Sequence, residues 1–261
     1  MKYRYYLVTL AAATILTACG GNDTGEEMTF ESVKVEKTVS ITNESGAPQC
    51  KVSLQLAAVK GGPAERAKAV NEMLAQQLLG IEGVDLKVAA DSFANKYTGD
   101  YIKNFAPLYR EDRNDKQKRA WYEYHYNVTS DTKKGREGVT IYSATIDYYE
   151  GGAHGINQRL AMNFDNATGQ LLMLDDVFVP GYQHKLCELL LEALTDKVEA
   201  KDTDELKAKG YLCAMDMFAP ENFELGDDAV TFIYNPYEIA PYAEGIIELV
   251  IDNDELKELW K

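Results

Sequence analysis

The stretch SVKVEKTVSITNESGAPQCKVSLQLAAVKGGPAERAKAVNEMLAQQLLG, residues 32–80, decides the fold class because its apolar period changes within it. Val33, Val35, Val39 and Ile41 fall on one side of an alternating pattern. After the turn-like Asn43-Glu44-Ser45-Gly46, alternation resumes through Cys50, Val52, Leu54 and Leu56. A period of two with polar residues between marks half-buried strands, here two of them joined by a turn. Gly61-Gly62-Pro63 then opens a helix, and Ala67, Val70, Met73, Leu74 and Leu78 recur at helical spacing until Gly80 closes it.

Working outward, residues 85–109 predict a second helix carrying Val88, Phe93, Tyr97, Tyr101 and Phe105 at intervals near four, read as core. The charged segment Arg110–Arg119 reads as an exposed connection. Alternation returns at 121–129 and 139–149, then in short strands at 156–165 and 170–174 around the Ala167-Thr168-Gly169 turn. Helices are expected at 182–200 and 202–211, strands at 229–234 and 245–251, and a terminal helix at 252–260. Strands, helices, strands, helices, strands: the fold class is α+β, a mainly antiparallel sheet with packed helices. Two subregions are expected, an N-terminal one over 30–110 and a C-terminal one over 117–261.

The start of the chain is an address. Lys2 and Arg4 precede an apolar run from Tyr5 to Ile15, and Leu16-Thr17-Ala18-Cys19 follows. Basic, apolar and small residues in that order form a secretory signal over 1–18. A Cys at the cut point resembles a bacterial lipobox, which implies cleavage before Cys19 and a lipid on its sulfur. The apolar run falls short of the roughly 20 residues a spanning helix needs. Residues 19–29, polar and acidic with Gly20, Gly21 and Gly25, read as a lipidated flexible tether. Loss of residues 1–18 takes the formal net charge from −15 to about −17. Such a body disfavours nucleic acid, whose phosphates need cations, and would steer a basic partner towards it.

Once Cys19 carries lipid, Cys50, Cys187 and Cys213 remain. Cys187 and Cys213 flank a helical region and are the expected disulfide in an oxidising envelope, while Cys50, on an apolar alternation, reads as a buried thiol. No cofactor and no metal site is expected, because His125, His154 and His184 stand singly and no CxxC occurs. No catalytic constellation is recognised either. There is no GxSxG elbow, and the cysteines lie in no electropositive segment. Asp147, Glu150 and His154 could converge as an acid/base group at one strand end.

Two motifs remain as ligand-binding candidates. In YYEGGAHG, residues 148–155, the glycines imply positive φ or a close backbone approach, and Tyr149, Gly151, Gly152, His154 and Gly155 are the residues at issue. His154 is either a structural hydrogen-bonder or a ligand contact. In YNPYEIAPYAEG, residues 234–245, two prolines stiffen a Tyr-rich connection in which Tyr234, Pro236, Tyr237, Glu238, Pro241 and Tyr242 could brace a sheet edge or bind a partner.

YYEGGAHG, FDNATGQLLMLDDVF and FIYNPYEIAPYAEG together resemble the extracytoplasmic domain of the lysozyme-sensing anti-sigma-V factor. That domain also stands beside the catalytic domain of certain envelope polysaccharide deacetylases, and it has no assigned role of its own. The resemblance implies an envelope-facing α+β domain over about residues 30–251. It differs from those relatives in having a lipid anchor where the anti-sigma factor has a spanning helix, and no metal-dependent catalytic domain is seen. The expected function is therefore that of a lipid-anchored binding protein of the cell envelope, at the outer membrane on its periplasmic or surface face. Its expected ligand is a cell-wall glycan or a basic protein such as lysozyme. The alternatives are a hydrolase or deacetylase of envelope polysaccharide, and an accessory subunit of an envelope complex.

Overall fold

The computed structural model describes residues 28–115 and 117–261. The signal segment, Cys19 and the tether up to residue 27 lie outside the described residues. Of the expected tether over 19–29, Met28 is buried and Thr29 begins the first strand.

Strands β1 (Thr29–Ser40) and β2 (Gln49–Gly61) pair antiparallel from Ser40–Gln49 to Thr29–Gly61, with an irregularity between Thr29 and Phe30. Helices α1 (Ala64–Leu79) and α2 (Leu86–Asp112) follow. Asp85 caps α2 by accepting from the Lys87 N–H at 2.9 Å, and Gly80 ends α1 in the left-handed region that suits glycine. After a 3-10 turn at Lys118–Tyr122 come β3 (Tyr124–Lys134), β4 (Val139–Tyr149), β5 (Ile156–Asp165) and β6 (Leu171–Leu172). These six strands hydrogen-bond in chain order. The β2–β3 pair is parallel, Cys50–Gln55 against Tyr124–Thr129, since two helices intervene and carry the chain back.

Beyond β6 lie α3 (Leu174–Val177), α4 (Gln183–Lys197) and α5 (Thr203–Ala208). A second antiparallel sheet runs β7 (Phe223–Leu225), β8 (Ala229–Tyr234), β9 (Ile247–Asp252). The α+β class holds: the described residues form a six-stranded, mostly antiparallel sheet, a three-stranded sheet and five α-helices.

The chain divides into two compact units. One comprises the described residues up to Ser130 with Ile146–Ile156, and the other Asp131–Thr145 with Asn157–Lys261. In the first, α2 packs on β1 and β2, and α1 packs on α2 and β2. One of its cores gathers Ile41, Cys50, Tyr101, Tyr109, Tyr122 and Tyr124. In the second unit, α4 packs on β9 and the core runs from Leu186, Leu190 and Leu194 through Phe223, Phe232 and Leu249 to Leu256.

Two expectations are corrected. Residues 253–259 are turns, not a terminal helix. The Asn253 amide is drawn off to the Asp227 carbonyl at 2.7 Å, and four-residue turns close at Glu255 and Leu259. Cys50, Cys187 and Cys213 are all free thiols, so no Cys187–Cys213 disulfide forms. Cys213 is exposed and donates to the Lys207 carbonyl at 3.5 Å, whereas Cys187 sits half-buried on α4 beside the Ala219 backbone. Cys50 is fully buried, as its place in an alternating strand predicted. Among the described residues no helix is long and apolar enough to cross a membrane.

Candidate ligand-binding groove

Strand alternation sorts the end of β4 into two faces. Tyr148 points to the helix-covered face, where its ring stacks on Tyr126 at 5.5 Å. Asp147 and Tyr149 point the other way. Asp147 accepts from Asn127 at 3.2 Å and bonds His125 Nε2 at 2.9 Å, and Tyr149 lies 6.3 Å from the His125 ring. Glu150 takes the Tyr97 hydroxyl proton donor at 2.7 Å. His154 is exposed, with Nδ1 3.0 Å from the Gly155 carbonyl. The acid/base group of Asp147, Glu150 and His154 is thus not assembled: alternation turns the two carboxylates to different faces, and each member has its own partner.

The glycines of this loop answer to backbone geometry. Gly151 has φ +83°, and a Cβ there would lie 2.8 Å from the Trp121 carbonyl oxygen. At Gly155 a Cβ would meet the Tyr148 carbonyl oxygen at 2.8 Å. Tyr149 closes the turn by donating to the Gly152 carbonyl at 2.8 Å. Close packing of chain on chain explains Gly151 and Gly155, positive φ (+94°) explains Gly152, and the turn delivers Glu150 to α2.

The second motif lies in the other compact unit and divides between core and surface. Tyr234 is fully buried and donates to the Phe218 carbonyl at 2.6 Å, so it is corrected from ligand candidate to core residue. Glu238 accepts from the Asn235 N–H at 2.8 Å and locks the turn; burial pushes its carboxyl above the usual range. Pro236 is half-buried, while Pro241 is exposed at the surface. Tyr237 is 59% exposed at φ +74° beside Tyr242, ring to ring 5.7 Å, a non-glycine residue in a costly backbone state.

Sequence reasoning missed a groove of about 570 Å³ in the first unit. Phe93, Tyr97, Tyr101 and Phe105, one helical turn apart on α2, line it with Tyr124 of β3 and Glu150. Leu79–Ile81, Lys96, Asp100 and Asn104 complete the rim. Each ring touches the next layer: Phe93 stacks on Tyr97 at 5.6 Å, and Phe105 meets Tyr124 at 5.0 Å. Phe93, Tyr97 and Phe105 are only half-buried, so the four-residue spacing served a groove as well as a core. The signal that could have found it is an aromatic at every fourth position of a helix whose other side already held small residues, Ala89, Ala90, Ala94 and Thr98, all buried.

The groove's charges do not cancel. Lys96 binds Asp100 at 2.7 Å and holds its carboxyl below the ordinary value. Among the described residues Glu150 makes no such ion pair. Burial, then the bond and charge of Glu150, push the Tyr97 phenol far above its ordinary value. Burial and then the same charge raise Tyr124 and Cys50 each to about 12. A buried thiol raised that far is no nucleophile near neutral pH. No group of three or more His, Cys, Asp or Glu side chains among the described residues could hold a metal. Aromatic faces, one carboxylate and one amide suit non-covalent capture of a ligand with apolar faces and polar edges.

Comparison with known proteins agrees with the fold. No curated protein matches the chain at a significant level. A DUF3298-family protein from Bacteroides fragilis NCTC 9343 superposes with a TM-score of 0.83 at 27% identity, covering 91% of this chain and 95% of that one. A second DUF3298-family structure, from Pseudomonas aeruginosa PAO1, shares the fold alone, with a TM-score of 0.60 at 16% identity over 89% of this chain and 95% of that one. Residues 175–254, all in the second unit, match the family described as "Protein of unknown function (DUF3298)", and the aromatic groove lies outside that match.

Proposed function

We propose that this protein is a lipid-anchored binding protein of the cell envelope, and that it takes a segment of cell-wall glycan into the groove along α2. The groove carries the reading: a ladder of aromatic faces is flanked by Glu150, Asn104 and Asp100, within a volume in the roughly 300–1,000 Å³ range of small-ligand sites. Rings four residues apart on a helix rise by about 6 Å, a spacing on the scale of one pyranose. Sugar faces are apolar and their edges are hydroxyls, which matches ring faces bordered by acceptors. The lipobox-like sequence ending in Cys19 supports the anchor and the envelope address, and the resemblance to envelope-facing domains of the anti-sigma-V factor and of polysaccharide deacetylases supports the setting.

Calorimetric titration of the full chain in detergent with N-acetylglucosamine oligomers and with solubilised wall fragments tests this. Saturable binding that is lost in Tyr97→Ala is expected. Binding of lysozyme that glycan oligomers do not compete would instead favour a basic protein as the partner. Retention of radiolabelled palmitate by the wild type and its loss in Cys19→Ala tests the anchor.

A further inference from the structure

We propose that the groove selects saccharides bearing a free amine, with Glu150 pairing the ammonium group; this rests on the glycan reading above. Three observations carry it. Among the described residues Glu150 is the groove's uncompensated charge, because Asp100, the other lining carboxylate, is already bonded to Lys96 at 2.7 Å. One Glu150 oxygen, Oε1, is engaged by the Tyr97 hydroxyl at 2.7 Å, which fixes the carboxylate against the aromatic wall. Glu150 is exposed at the mouth of the loop, so a ligand reaches it without moving the chain.

An ammonium group brought to this place meets a carboxylate and π-faces together. Tyr97, Phe93 and Tyr126 form a mutual cluster, with Tyr97 5.6 Å from Phe93 and 5.2 Å from Tyr126, and Phe93 4.9 Å from Tyr126. The parts of Phe93 and Tyr97 that line the groove offer π-electron density to a cation beside Glu150. A neutral N-acetyl group gains neither the ion pair nor the cation–π attraction. The geometry favours an amino sugar over the lysine of a protein partner, because the rings from Phe93 to Phe105 extend over about 18 Å of helix. That length exceeds the need of a single side chain and suits a chain of several pyranoses. Chemically, the ligand class is a de-N-acetylated stretch of an amino-sugar polymer, of which a glucosamine tetramer is the simplest probe.

The experiment compares glucosamine tetramer with N-acetylglucosamine tetramer by titration against the full chain in detergent, and repeats both with Glu150→Gln. Gln keeps an acceptor for Tyr97, so the fold is retained, which circular dichroism checks. The amine is expected to bind about tenfold more tightly than its acetylated counterpart, the size of one well-placed cation contact, with the two affinities converging in Glu150→Gln. Equal or tighter binding of the acetylated tetramer overturns the amine preference and leaves the glycan reading standing. An amine preference that persists in Glu150→Gln also overturns it, assigning the effect to the general negative charge of the protein. Failure of both tetramers, with lysozyme binding lost in Tyr97→Ala, overturns both readings in favour of a protein ligand.

Discussion

Replacing Glu224 by Gln in the second unit should cost more stability than any exposed ion pair of this chain. Glu224 is only 5% exposed, on β7, and its oxygens are shared among three donors. Oε2 accepts from Lys133 Nζ at 2.7 Å, and Oε1 accepts from Ser143 at 2.7 Å and from Arg159 Nη2 at 2.6 Å. Arg159 also binds Glu248. Glutamine keeps one oxygen for Ser143 and Arg159 but turns an NH₂ towards the Lys133 ammonium. Losing a charge-assisted bond costs about 1.5–3 kcal/mol. Removing one partner of a buried pair costs about 3–5 kcal/mol. Lys133 can return to water and Arg159 keeps Glu248, so the lower end applies, about 2–3 kcal/mol. The assay is urea unfolding of the full chain followed by tryptophan fluorescence, since Trp260 stacks on Phe178 within the same unit at 5.0 Å. A loss below about 0.5 kcal/mol, the range of surface substitutions, would refute the reasoning. A double-mutant cycle with Arg159→Met should then show coupling; strict additivity would place the cost elsewhere.

The same carboxylate sets a pH dependence. Burial pushes Glu224 up, but the bonds from Lys133, Ser143 and Arg159 outweigh it and hold the carboxyl below its ordinary 4.5. Since the folded value lies below the unfolded one, the contribution is full above 4.5 and fades as pH falls through the folded value. Glu224→Gln should therefore flatten the acid limb of the stability curve; an unchanged limb would count against it. At the glycine loop, Gly151→Ala should destabilise by about 3 kcal/mol and Gly152→Ala by about 1 kcal/mol, both through positive φ but only the first through a backbone clash; thermal melts that rank them the other way contradict the account. For the thiols, Cys213 should react with a thiol reagent in the native state and Cys50 only after unfolding, and a non-reducing gel should show no internal disulfide. A Cys187–Cys213 cross-link in the purified protein would contradict that expectation.

How much of this was legible in the sequence depended on how local the cause was. The alternation of Val33, Val35 and Val39 and the helical spacing of Val70, Leu74 and Leu78 report burial directly, and those elements lie where the pattern put them. Gly80 and Gly61-Gly62-Pro63 mark boundaries through backbone chemistry and were legible for the same reason. The terminal turns at 253–259 escaped because Leu256 and Leu259 carry helical spacing while the Asn253 side chain diverts to a distant strand turn. Tyr234 was indistinguishable from its neighbours Tyr237 and Tyr242 in a motif of three tyrosines; only the packing partner Phe218 decides that one is core. The groove escaped for a related reason. Phe93, Tyr97, Tyr101 and Phe105 show that α2 has an aromatic stripe, but not that α1, β3 and the Glu150 turn leave part of it uncovered.

The central claim is that the uncovered stripe binds glycan, and Tyr97 tests it most directly. Tyr97 is half-buried, joins Phe93 and Tyr126, and fixes Glu150. Titration of the full chain with glucosamine and N-acetylglucosamine tetramers should give saturable heats for the wild type. Tyr97→Ala should abolish them while His154→Ala leaves them intact. Wild-type binding that survives in Tyr97→Ala and disappears in His154→Ala would contradict the account.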